Sequence, residues 1–277
     1  MTHLEYLKKR LESKLFSESD YAILNSLILS LSSNEACALF DMKFEQDYRV
    51  RHYVLRKISI DIIKSYTNEH RKLISLLLKK LNEKGFNKKE SCSFSIDFLY
   101  DSLSTKHKNL ILNKFLESKS LRNRDRAYKR LFSNWNKKYQ EIIEHMWTSH
   151  KDTNCLGIII NHFPLDFLLA NYKDLIQYAK PYQISKLFLK LGTVNYDLIH
   201  ELKSIDQISY SYVLVKFDKK LTNTQATEIL KNNYKDNRIG LLLWCFGKMG
   251  LWDNIIEFET KYKDKHDLAM LNEIVHD

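Results

Sequence analysis

Between Arg49 and Lys138 the sequence carries 23 Lys and Arg against 8 Asp and Glu, a net charge of +15 in 90 residues. Residues 1–48 sum to −3 and residues 139–277 to −2, so the overall +10 belongs to one third of the chain. The cations are also spaced. Arg49, His52 and Arg56 stand at i, i+3 and i+7, and Arg122, Arg126, Lys129 and Arg130 at i, i+4, i+7 and i+8. In a helix each row shares one face, away from the apolar stripe. Arg51, Lys57, Arg124, Lys137 and Lys138 lie beside these rows, and Lys79, Lys80, Lys84, Lys88 and Lys89 fall near expected helix ends. Such an arrangement suits a phosphate backbone, because each cation that neutralises a phosphate releases condensed counterions and Arg adds bidentate geometry. Without a ligand, like charges at i and i+4 cost roughly 0.2–0.5 kcal/mol per pair. The competing reading is an ordinary solvated face, with Asp61, Glu69, Glu117, Asp125 and carboxylates of neighbouring segments pairing most of the cations.

Other chemistry is poorly supported. Glu141 and His145 sit at i and i+4, with Glu144 and His150 close by, but two ligands on one face do not make a zinc site. No H-E-x-x-H, P-loop, G-x-G-x-x-G or G-x-S-x-G occurs. No catalytic residue, metal ligand or cofactor is therefore assigned. Cys37, Cys92, Cys155 and Cys245 are far apart and form no C-x-x-C pair, which fits buried, reduced thiols in a cytoplasm. Trp135, Trp147, Trp244 and Trp252 are able to stack on bases, yet each lies on or beside an apolar stripe, where core packing is the expectation.

The elements that must position these residues are helices. Ile184, Leu187, Phe188 and Leu191 recur at i, i+3, i+4 and i+7, and Val50, Val54, Ile58 and Ile62 trace a similar stripe. Six Gly and two Pro are too few for the turns that sheets need. Asp20, Asn68, Ser104, Asp166, Asn195 and Thr222 are candidate N-caps, and Gly85, Gly192 and Gly250 candidate stops. These boundaries predict roughly 16 to 18 helices arranged as pairs. The first helix of each pair is expected near Tyr48, Glu90, Leu121, Asn154, Tyr182, Gln207 and Asp236, a step inside the range of helical repeats. The expected fold is all-α, an irregular α-solenoid of stacked antiparallel helical hairpins forming a single helical-repeat domain over 1–277. Residues 1–47 would be N-terminal capping helices, 48–138 the basic repeats, and 139–277 the remaining repeats with a C-terminal cap. No apolar run is long enough for a membrane span, and Met1 to Arg10 lacks the apolar core of a secretion signal.

Asp47, Arg51 and Leu55 within DYRVRHYVLRKI, and Asp125, Arg126, Arg130 and Leu131 within NRDRAYKRLF, resemble the Asp, Arg and Leu pattern of the HEAT and armadillo repeats. The chain is similar to that superfamily in rhythm over about residues 20–265. The resemblance implies a curved, two-layer, right-handed superhelix and fixes no activity. The expected function is a non-enzymatic, cytoplasmic binding protein that holds DNA or RNA through Arg49, Arg51, Arg56, Lys57, Arg122, Arg124, Arg126, Lys129, Arg130, Lys137 and Lys138. The alternative is a protein-protein interaction scaffold for an acidic protein partner. Some HEAT-like proteins are alkylpurine DNA glycosylases, and Trp135 and Trp147 with Asp125 or Asp152 are the candidates that this second alternative would use. Oligomeric state is not legible.

Overall fold

The computed structural model describes residues 2–12, 16–42, 47–81 and 85–262, with 86–88 described for backbone alone. Every regular element among them is helical. The α-helices are α1 (His3–Arg10), α2 (Glu18–Leu29), α3 (Ser33–Met42), α4 (Tyr48–Lys64), α5 (Asn68–Lys80) and α6 (Phe86–Leu99). They continue with α7 (Thr105–Leu116), α8 (Leu121–Ser133), α9 (Gln140–His150), α10 (Leu156–His162), α11 (Leu165–Ile176) and α12 (Pro181–Gly192). The last are α13 (Leu198–Ile205), α14 (Gln207–Lys216), α15 (Asn223–Asn233), α16 (Ile239–Met249) and α17 (Trp252–Lys261), with short 3-10 turns before α7, α9 and α10. No described helix is long and apolar enough to cross a membrane.

The chain divides into two compact units, one ending at Ala127 and the other beginning at Tyr128, within α8. In the N-terminal unit α4 packs on α2, α3 and α6, and α5 packs on α3 and α6. Leu24, Ile28, Leu55, Ile58 and Ile74 form its fully buried centre. In the C-terminal unit the even-numbered helices lie side by side, α10 on α12, α12 on α14 and α14 on α16. The odd-numbered α11, α13, α15 and α17 pack against them. Phe188, Ile199, Val213, Leu242 and Phe246 are completely buried between the two sets. Helices of 7 to 17 residues each bury little apolar surface, so a short chain must use many of them.

The expected pair starts fall on the even-numbered helices from α4 to α16, which begin at Tyr48, Phe86, Leu121, Leu156, Pro181, Gln207 and Ile239. Ser104 and Thr222 cap α7 and α15 as expected, and Gly250 ends α16 in the left-handed region at φ 79°. Gly192 is the last residue of α12, as expected, and a Cβ there would stand 2.6 Å from Ile199 Cδ1 and 2.9 Å from Phe217 Cζ. Gly85, at φ 118°, acts differently and precedes α6 instead of ending a helix. All four cysteines are buried and free.

Local polar bonds fix the helix starts. Thr67 Oγ1 accepts from His70 N, and Thr67 N donates to His70 Nδ1 at 3.2 Å, a reciprocal cap at the start of α5. With Nδ1 accepting, Nε2 carries the proton, and it is buried. Burial pushes the His70 pKa below its ordinary 6.5, although Asp61, the Ser65 backbone and Glu69 pull the other way. The unfolded chain therefore takes up a proton near pH 6.5 that the folded chain takes up only at lower pH. Stability should be full above that value and should fall as pH drops through the window below it. His70→Gln keeps the reciprocal cap and removes the titration, so its melting temperature should depend less on acid. His107, also lowered by burial, retains an effect of the same sign in that variant. An unchanged acid slope in the variant would place the titration elsewhere.

Candidate nucleic-acid interface

Asp47 organises the start of α4. Its Oδ1 accepts from Arg49 N and Val50 N, and its Oδ2 accepts from Tyr21 Oη at 2.7 Å, tying α4 to α2. This fixes Tyr48, Arg49, Arg51, His52 and Tyr53 around a pocket of about 370 Å³, closed on its far side by Phe94 of α6. Arg49 is already engaged: Nη1 meets Glu18 Oε1 at 2.7 Å, Nε donates to Tyr48 Oη, and the guanidinium lies 4.5 Å from the Tyr21 ring centre. Glu18 and Tyr48 hold its proton more firmly than usual.

Arg51 is different. Its Nη1 donates to Ser91 Oγ at 2.6 Å and its guanidinium sits 5.2 Å from the Phe94 ring centre. Its Nε is buried with no hydrogen-bond partner. Among the described residues no carboxylate lies within 4.0 Å of it. Burial makes the charged form less favourable than in water. His52 is exposed and sets its ring edge-on to Phe98 at 5.0 Å. One turn further along the helix Arg56 is exposed and makes no ion pair among the described residues. The pocket thus offers a desolvated cation, a second cation held at its rim, and aromatic walls. A phosphate oxygen would meet the unpaired guanidinium, and a flat apolar ring would meet Tyr48 and Phe94.

The other sequence-derived cations are placed less openly. Lys57 pairs with Asp61 at 2.9 Å, and Asp61 also accepts from Ser33 Oγ. Arg126 is tucked between α8 and α6, bonding Glu90 at 2.8 Å with Asp97 at 3.8 Å, and its side chain is only 13% exposed. Arg122 reaches the same Glu90 at 3.3 Å. Arg124 donates to the Ser118 carbonyl at 2.8 Å. Lys129, Arg130, Lys137 and Lys138 belong to the C-terminal unit, where Lys138 lies over the Tyr139 ring. Lys84 and the side chain of Lys88 lie outside the described residues. The row Arg122–Arg130 therefore does not lie wholly on a free face: its second member, Arg126, is a structural tie. Of the carboxylates expected to neutralise the cations, Asp61, Glu69 and Glu117 do so, on Lys57, Lys72 and Lys114. Glu90, Asp97 and Glu18 are carboxylates of neighbouring segments, as the solvated-face reading expects, though the sequence does not single them out. Arg51 and Arg56 are left without a carboxylate among the described residues.

The aromatic and acidic candidates for base chemistry are mostly interior. Trp147 is fully buried, and Asp152, 5% exposed, accepts from Tyr128 Oη at 2.9 Å and from Asn154 N. Trp135 stacks on His162, whereas Trp252 departs from the core expectation at 62% exposure. His145 contacts His150 edge-on and Ser149 Oγ through Nδ1. Among the described residues no group of three or more His, Cys, Asp or Glu is placed to hold a metal ion. No protein-family model matches the chain, and no curated protein or solved structure matches it.

Proposed function

We propose that this chain is a non-enzymatic binding protein of the HEAT-like helical-repeat kind, working in the cytoplasm, that holds the phosphate backbone of a nucleic acid. The observation that carries the reading is Arg51. A guanidinium partly withdrawn from water, with no carboxylate beside it among the described residues, carries a cost for the folded protein, and a phosphate oxygen relieves that cost. Phe94, Tyr48 and His52 around it supply flat surfaces for a base, and the basic excess that begins at Arg49 favours a polyanion. Contacts of this type read shape and charge, not base sequence.

Arg51→Ala tests the reading directly, because Arg51 supplies no ion pair to the fold. Anisotropy of a labelled oligonucleotide should report binding about tenfold weaker than wild type, equivalent to about 1.4 kcal/mol, with a melting temperature little changed. An affinity equal to wild type would remove the pocket from the interface. Binding of an acidic polypeptide in preference to nucleic acid would favour a scaffold instead.

A further inference from the structure

The three adjacent helices α12, α14 and α16 share a pattern absent from their neighbours. Each carries an aromatic residue followed four positions later by lysine: Tyr182 and Lys186, Tyr212 and Lys216, Trp244 and Lys248. The aromatic positions are separated by 30 and 32 residues, one helical pair each. At 100° per residue, the pairs of α12 and α16 lie opposite the buried stripes of their own helices, which hold Ile184 and Leu191, and Leu242 and Phe246. α14 is buried on more of its sides, Ile208 and Ser209 included, and there Lys216 is exposed while Tyr212, like Trp244 on α16, is half-buried.

The contacts agree with this placement. The Tyr212 and Trp244 rings are 6.1 Å apart across the α14–α16 seam, and Lys216 and Lys248 lie 5.3 and 5.6 Å from the rings of their own helices. At the α12–α14 seam Ser209 Oγ donates to the Pro181 carbonyl, bringing the first turns level. Tyr182 is 66% exposed. All three lysines are exposed and none forms an ion pair among the described residues.

Charge segregation makes the surface selective. α12, α14 and α16 contain no Asp or Glu, whereas the opposed α11, α13, α15 and α17 all contain at least one. Nothing on these three helices repels an anion. Their outward positions also lack free side-chain amides: Gln183 is buried and takes part in the cap of α12, and Gln207 accepts from Asn233. An extended peptide would find little to satisfy its backbone N–H and C=O groups there. A single nucleic-acid strand needs no such partners from the protein. It alternates flat bases with phosphates, and each aromatic–lysine pair offers one ring and one ammonium.

We infer that the outward face of α12, α14 and α16 is a binding track for single-stranded nucleic acid, with bases against Tyr182, Tyr212 and Trp244 and phosphates at Lys186, Lys216 and Lys248. The inference rests on the nucleic-acid reading above and narrows it to unpaired strands, since bases inside a duplex cannot reach these rings.

The test uses the full chain, an oligouridylate of about 20 nucleotides, and a blunt duplex of equal length. Lys186→Glu/Lys216→Glu/Lys248→Glu changes exposed side chains only, so the variant should melt like wild type. Its affinity for oligouridylate should fall by on the order of 100-fold at low salt, three phosphate contacts having become repulsive. Tyr182→Ala should weaken the single strand several-fold and leave the duplex unchanged, and oligouridylate should quench tryptophan fluorescence. If the triple variant binds oligouridylate like wild type while Arg51→Ala is impaired, the track is overturned and the pocket reading stands. If the triple variant loses duplex and single strand equally, or if polyglutamate competes as well as oligouridylate, single-strand binding by this face is overturned. If wild type binds neither nucleic acid at low salt, both readings fall together.

Discussion

Trp147→Ala is expected to destabilise the C-terminal unit by about 3–5 kcal/mol, the usual cost of deleting a large buried aromatic side chain. The indole is completely buried, meets Tyr178 edge-on at 5.5 Å, and carries Lys151 4.7 Å from its ring centre. Its Nε1 has no hydrogen-bond partner, so Trp147→Phe loses volume and no hydrogen bond. That variant should cost much less, on the order of 1–2 kcal/mol. Urea denaturation of both variants checks the ranking. Equal, small effects would mean that Trp147 is not a core residue. The same burial explains why Trp147 cannot stack on a base without opening the unit.

Arg126→Ala should destabilise the N-terminal unit by about 2 kcal/mol. Glu90 and Asp97 would be left facing each other's charge, with Asn123 Oδ1 also losing a donor. The figure sits below the 3–5 kcal/mol typical of a fully buried pair because both carboxylates retain some water and Glu90 keeps Arg122. Arg126→Glu places a third carboxylate in the same space and should lower the midpoint further. A midpoint shift well under 0.5 kcal/mol for Arg126→Ala would class the pair with ordinary surface ion pairs. Reversing Arg122, Arg126 and Arg130 together is consequently a poor assay of ligand binding, since lost binding would report lost folding. Arg51 and the exposed lysines of the C-terminal unit avoid that confusion.

Much of the architecture is legible in the sequence. Apolar spacing of three and four, few glycines and prolines, and cap residues such as Ser104 and Thr222 report local preferences, which survive into the folded state. The pair starts were located to within about five residues for the same reason. What the sequence hides is tertiary. Arg126 looks like one more member of a cationic row, and only the packing of α8 on α6 reveals that Glu90, 36 residues earlier, claims it. Arg51 reads in the sequence as one more cation beside the Arg49 row, and nothing there shows that Glu18 reaches Arg49 and not Arg51. The aromatic–lysine pairs are visible as a spacing, but the charges of the alternating helices cancel over residues 139–277, and the net of −2 conceals an acid-free set of helices. Gly192 likewise looks like a stop, while its Ile199 and Phe217 contacts show that it permits close packing.

If this protein holds phosphates through cations that its own carboxylates leave uncompensated, the affinity of the full chain for a single-stranded oligonucleotide must depend steeply on salt. If about four phosphates are neutralised, log K should fall linearly against log salt with a slope near −3, and Arg51→Ala should make it shallower by about 0.7. A slope near zero, or no binding at the lowest salt, would contradict the account.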